Sequence, residues 1–173
     1  MHHALKIYDI IYAILQHLES STTDLVNVAM TCSKFSDPAL NILWREQSSL
    51  APLIMCLPQD TSEAPHDDTI IFSREPLLTE WERVRINASR IRRLVSNFNH
   101  SRVKAPRVPS GPVLQQLFAL FPPARLFPNL FALHFGAVSD LPEFRANFLL
   151  LRQFFLLGLE TLALNVPVDV RLR

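Results

Sequence analysis

Apolar residues recur at Ile7, Ile10, Ile11, Ile14, Leu15 and Leu18, the i, i+3, i+4, i+7 spacing of an amphipathic face, and predict a helix over residues 6–18. Tyr12 and Ala13 widen the stripe until residues 10–15 are nonpolar almost all round. A helix of that kind has to be covered on more than one side. A second helix opens at Ser21, where a hydroxyl and an acid three residues on, Asp24, can cap free backbone amides. Its stripe is Leu25, Val28, Ala29, Cys32 and Phe35. A third is expected from Asp37 as N-cap with Pro38 at the first helical position, where a missing amide hydrogen costs nothing. Leu40, Leu43 and Trp44 form its face.

Beyond this the pattern shifts. Residues 50–57 predict a short helical turn ahead of Pro58, residues 58–68 an acidic, polar surface loop, and residues 69–72, TIIF, a short strand. Thr79 and Glu82 make another capping pair, and Trp81, Val84, Ala88, Ile91, Val95 and Phe98 follow at steps of three and four. A helix is therefore expected over 79–98, with a tail, IRRLVS, that could switch to a strand. Residues 99–112, with Pro106, Pro109, Gly111 and Pro112, read as a loop or linker.

The last third repeats itself. Leu130, Leu133 and Phe135 match Leu159, Leu162 and Leu164 one for one at a separation of 29 residues, so both segments read L-x-x-L-x-L in apolar terms. That shape and period are those of leucine-rich repeats, in which a short strand lines one face of a solenoid and its leucines fill the core. Two copies fall short of the roughly three that such stacks need. Either the helix at 79–98 serves as a cap or the chain is shorter than its solenoid, and the ending VPVDVRLR favours truncation.

Composition narrows the classes. The chain has 173 residues, 49% of them hydrophobic, and a formal charge of +1, which fits a packed protein and demands no acidic partner. Cys32 and Cys56 are its only cysteines, without CxxC spacing, and suit a reducing compartment. The N-terminus lacks the uninterrupted apolar core of a signal peptide, because Asp9 breaks it, and no export is expected. Arg145, Arg152 and Glu160 interrupt the oily stretch 144–164, so no membrane span is expected.

Motifs for catalysis are missing. The sequence holds no G-x-S-x-G, no Walker-type loop, no H-E-x-x-H and no zinc spacing, so neither a cofactor nor a metal is expected. His66-Asp67-Asp68 are consecutive, and consecutive residues seldom converge on one ion. Arg83, Arg85, Arg90, Arg92, Arg93, Arg102, Lys104 and Arg107 form the one basic run. It reads as a solvated face paired with the acidic loop around Asp60, Glu63, Asp67 and Asp68, or as a nucleic-acid or acidic-partner patch.

Residues 5–49 pose a problem of size. About 45 residues bury too little surface to be comfortably stable alone, yet about half of this stretch is apolar, so the surplus needs a partner. Trp44, large and stiff at the end of the third helix, is the type of residue that anchors such contacts.

The segments ALKIYDIIYAILQHL and DLVNVAMTCSKFSDPALNILWRE resemble an F-box, with a leading apolar-x-acid, an Ile-rich first helix, Asp-Leu opening the second, Cys-x-Lys-aromatic near its end and a closing Leu-Trp. The continuation SSLAPLIMCLP and the Trp81-Glu82-Arg83 segment are similar to F-box proteins of mushroom-forming fungi with leucine-rich repeats downstream. The resemblance implies a mainly helical protein with short strands: a three-helix F-box over 1–57, a linker loop and capping helix over 58–112, and a partial, truncated leucine-rich-repeat region over 113–173. It implies a non-catalytic adaptor inside the cell, in cytoplasm or nucleus. Such a protein docks on the S-phase-kinase-associated adaptor of cullin-based ubiquitin ligases and holds a substrate protein on its repeats. The docking surface carries over onto Ile7, Tyr8, Ile10, Ile14, Leu15, Leu25, Val28, Cys32, Phe35, Leu40, Leu43 and Trp44. Tyr8 stands where the family usually has proline and Phe35 where it often has tryptophan. Two rival readings remain, a nucleic-acid-binding module using the basic run and a structural repeat protein with a helical cap.

Overall fold

The computed structural model describes residues 7–63, 69–96, 108–136, 154 and 158–165. Helices, a small parallel sheet and short strands are mixed along the chain, a larger β contribution than the mainly helical expectation. Two compact units divide it, residues 1–46 and 47–173.

The first unit holds helices α1 (Tyr8–Gln16), α2 (Thr22–Thr31) and α3 (Ser33–Arg45). The Ser21 side chain accepts a hydrogen bond from the Asp24 amide at 3.4 Å, so the cap read from the sequence forms. The start of α3 differs from expectation. Cys32 is its N-cap and Pro38 lies inside the helix, not at its first position. The amides of Phe35 and Ser36 both bond to the Cys32 carbonyl, closing a helical turn upstream of Asp37. Only one ladder bond is forfeited at the proline, and Pro38 and Ala39 are buried, so packing holds the turn and the rest of α3 as one helix. Ile11, Leu15, Leu25, Ala39 and Ile42 make the core, with Tyr12, Leu18, Val28, Ala29, Phe35 and Leu43 packed against it.

A short strand, β1 (Glu46–Gln47), lies at the boundary of the units. The second unit begins with α4 (Ala51–Ile54), the short helix foreseen before Pro58. Part of the expected loop is strand: β2 (Ser62–Glu63) pairs antiparallel with β3 (Thr69–Phe72), the strand read from TIIF. The helix expected over 79–98 is shorter, α5 (Glu82–Ala88), and its tail is indeed strand β4 (Arg93–Ser96). Thr79 does not cap it. The N-cap is Trp81, without a side-chain bond, because the carboxylate that organises this turn belongs to Glu80, which accepts from the Leu77 amide at 2.7 Å.

Residues 99–112 are not all loop either. β5 (Val108–Pro109) runs parallel to β3, and α6 (Gly111–Leu120) starts immediately after, with Pro112 in its first turn. Val113, Leu114, Leu117 and Phe118 give α6 its buried face. A short helix, α7 (Pro123–Leu126), leads into β6 (Ala132–Gly136), and β7 (Thr161–Asn165) follows. The oily stretch 144–164 lies largely outside the described residues. Of it, Phe154 is buried, with its ring edge-on to Phe118 and stacked on Phe127.

The repeat read from the sequence is a structural repeat. β6 and β7 pair in parallel with Leu133 opposite Leu162 and Phe135 opposite Leu164, the same 29-residue offset. A third copy joins them on the other side. β4 pairs with β6 so that Leu94 stands opposite Leu133 and Ser96 opposite Phe135, an offset of 39 residues that also aligns Ile91 with Leu130. β6 and β7 enter the sheet by the same device: the amides of Phe131 and Ala132 share the Arg92 carbonyl, and those of Glu160 and Thr161 share the Phe131 carbonyl.

Candidate protein-docking surface

α1 carries two apolar faces. Ile11 and Leu15 are buried in the three-helix core. The other face, Ile7, Ile10 and Ile14 at i, i+3 and i+7, stays in water, at 50%, 38% and 49% exposure, and Tyr8 beside it is 44% exposed. Helical propensity alone does not call for isoleucine at exposed sites, since a β-branched chain loses rotamer freedom against the preceding turn. Burying such a side chain fully gains about 1.5–3 kcal/mol, so this stripe holds free energy that only a further contact can release.

The surface is also held in shape. The Tyr8 ring lies nearly parallel to that of Tyr12, centroids 6.1 Å apart, and its hydroxyl accepts from Asn41 Nδ2 at 2.7 Å, fixing the start of α1 to α3. Arg45 at the end of α3 forms an ion pair with Glu19, just past α1. Both contacts tie down elements that flank the open stripe and reduce the ordering entropy a docking step would cost.

The twelve residues carried over from the resemblance thus separate. Ile7, Tyr8, Ile10 and Ile14 form one exposed surface, and Cys32 is exposed between α2 and α3. Leu15, Leu25 and Trp44 are buried, while Val28, Phe35, Leu40 and Leu43 are half-buried. Trp44, expected in the apolar surplus, is 9% exposed and therefore offers no free anchor. The surplus sits on α1 instead. The sequence reading omitted Val26 and Met30, which α2 exposes at i and i+4, and Met30 is 80% exposed. Their signal was available as an apolar pair off the main stripe of that helix.

Comparison with known proteins matches the chain to no protein-family model, no characterised protein and no solved structure.

Arg85 lies over the Phe121 ring, 5.7 Å from its centroid, in a cation–π contact. Asp60, expected to pair with the arginines of the basic run, is bound by Arg74, whose Nε donates to it at 2.8 Å while its two terminal nitrogens fork onto Glu80 at 2.9 and 2.7 Å. Those bonds hold the Asp60 and Glu80 carboxyls below the ordinary carboxylate range and raise the Arg74 guanidinium. Arg102, Lys104, Arg107, Asp67 and Asp68 lie outside the described residues.

Cys56 is not activated by its surroundings. Burial pushes the Cys56 thiol up, against a smaller opposing effect of the Asn87 amide, which donates to its sulfur at 3.3 Å. Among the described residues no group of three or more His, Cys, Asp or Glu could hold a metal ion, and no helix is long and apolar enough to cross a membrane.

Proposed function

We propose that this chain is the substrate-recruiting adaptor subunit of a cullin-based ubiquitin ligase, an F-box joined to leucine-rich-repeat-like units, with no chemistry of its own. One observation carries the reading: the second apolar stripe of α1, Ile7, Ile10 and Ile14, is open on a three-helix unit that already has a closed core. A helical cap of a purely structural repeat protein would have no use for that stripe. The S-phase-kinase-associated adaptor covers it, with Tyr8 at the rim. Leu15, Leu25 and Trp44 act from below by fixing the helices that present it. The strands β4, β6 and β7 belong to a solenoid whose outer surface holds a substrate protein. Tethering the substrate beside the ubiquitin-carrying enzyme raises its effective concentration to about the millimolar range.

Co-expression with the adaptor tests this. The wild-type chain is expected to co-purify with it, and Ile10→Lys to lose it while remaining folded by circular dichroism. Failure of the wild type to associate at micromolar concentration overturns the proposal.

A further inference from the structure

Helix α1 starts without a cap. Its N-cap residue is Ile7, whose side chain has nothing to offer the free amides of the first turn, and no side-chain bond closes that end. The first backbone rung is the Ile11 amide on the Ile7 carbonyl, at 3.2 Å. Uncapped ends fray at little cost in free energy. This one carries Ile7 and Ile10, two of the three exposed isoleucines of the docking face, whereas Ile14 sits a turn further on, beside buried Leu15.

Another helix supplies what the cap does not. Tyr8, at the first helical position, accepts the 2.7 Å hydrogen bond from Asn41 Nδ2. Its ring lies 14° from parallel to that of Tyr12, one turn on, which packs against the three-helix core. Asn41 is half-buried on α3 next to Ile42, a member of that core. The bond therefore runs from a fixed helix to the loose end of another.

We propose that Asn41 is a positioning residue: through the Tyr8 hydroxyl it clasps the uncapped first turn of α1 and keeps Ile7 and Ile10 in line with Ile14. With the clasp open the first turn unwinds, Ile7 and Ile10 leave the stripe, and the face shrinks to Ile14. Rewinding then becomes part of docking and lowers the observed affinity by the fraction of molecules already wound. The docking half of this inference rests on the function proposed above, while the clasp itself is a property of the free chain.

Amide hydrogen exchange of the free chain, followed residue by residue by NMR, reads the clasp. Tyr8→Phe removes the accepting oxygen and keeps the ring, and Asn41→Ala removes the donor. Each is expected to speed exchange of the Ile11 amide about fivefold, the effect of one neutral hydrogen bond. The Leu25 amide, bonded to the Ser21 carbonyl at the start of α2, is expected to exchange as in wild type. The double variant should exceed neither single variant, because both remove the same bond. Unchanged exchange at Ile11 in Tyr8→Phe, or additive effects in the double variant, would overturn the clasp. Titration with the S-phase-kinase-associated adaptor is the second arm, with binding by Tyr8→Phe expected to be about two- to fivefold weaker. Faster exchange at Ile11 with undiminished binding would overturn the positioning role. A wild type that does not bind, with Ile11 responding as expected, would remove the docking reading and leave the clasp standing.

Discussion

Leu133 on β6 and Leu162 on β7 stand opposite each other in one parallel register, yet Leu133 is 1% exposed and Leu162 43%. They occupy the same place in the repeat, so the difference is one of neighbours. Leu133 has β4 on one side and β7 on the other, whereas Leu162 has β6 alone among the described residues. Leu133→Ala is expected to cost about 2–5 kcal/mol, as truncation of a packed core leucine does. Leu162→Ala should cost less than half as much, because water already reaches that side chain. Chemical denaturation of both variants checks the ratio, and equal losses would contradict the difference in packing.

The cap at Ser21 offers a smaller test. Its hydroxyl satisfies the Asp24 amide over a long 3.4 Å, so Ser21→Ala is expected near the lower end of the capping range, about 0.5–1 kcal/mol. Denaturant midpoints measure it. A loss of several kcal/mol would mean that Ser21 does more than cap α2.

Acid should loosen the second unit through the Arg74 cluster. Glu80 and Asp60 are held below the ordinary carboxylate range, first of all by their hydrogen bonds to Arg74. In the unfolded chain they lose those bonds and bind protons at higher pH. As pH falls through the ordinary carboxylate range the unfolded state takes up protons first, so the stability these groups contribute above that range is lost progressively on acidification. Glu80→Gln is expected to flatten the fall of Tm with decreasing pH. An unchanged slope would show that the fork onto Glu80 is not coupled to folding.

The two thiols should be distinguishable. Cys32 is exposed, while Cys56 is half-buried, its thiol raised by burial and contacted by Asn87. Since the thiolate is the reactive form, a maleimide at neutral pH is expected to label Cys32 first and Cys56 only slowly. Peptide mass spectrometry after brief labelling reads this, and equal labelling would contradict the burial of Cys56.

The parts of the fold legible in the sequence were those where one local pattern governs. L-x-x-L-x-L at 130–135 and 159–164 appears in register because strand alternation leaves its leucines only one face to share. The third copy was hidden by a competing pattern. Trp81, Val84, Ala88 and Ile91 continue a helical period into Val95 and past Leu94, Ser96 replaces the last apolar residue, and its offset is 39 instead of 29. α6 was obscured by Gly111-Pro112, read as the end of a loop when the pair opens the helix. At α3 the Asp37-Pro38 signal was locally sound but lost to packing, which carries the helix back to Ser33. For the docking surface, spacing identified α1 as apolar all round. It could not say which stripe faces inward, because Ile10 and Ile11 are alike in chemistry and differ only in where α2 and α3 lie.

Isothermal titration of the purified chain with the S-phase-kinase-associated adaptor, comparing wild type with Ile14→Lys, puts the open face of α1 to the most direct test. Ile14 is 49% exposed and near the C-terminal end of α1, where a lysine is compatible with the helix dipole, so thermal unfolding should be unchanged. Micromolar or tighter binding by wild type, lost in Ile14→Lys, is the predicted result. No binding by wild type, or equal binding by the two, would contradict the proposed docking.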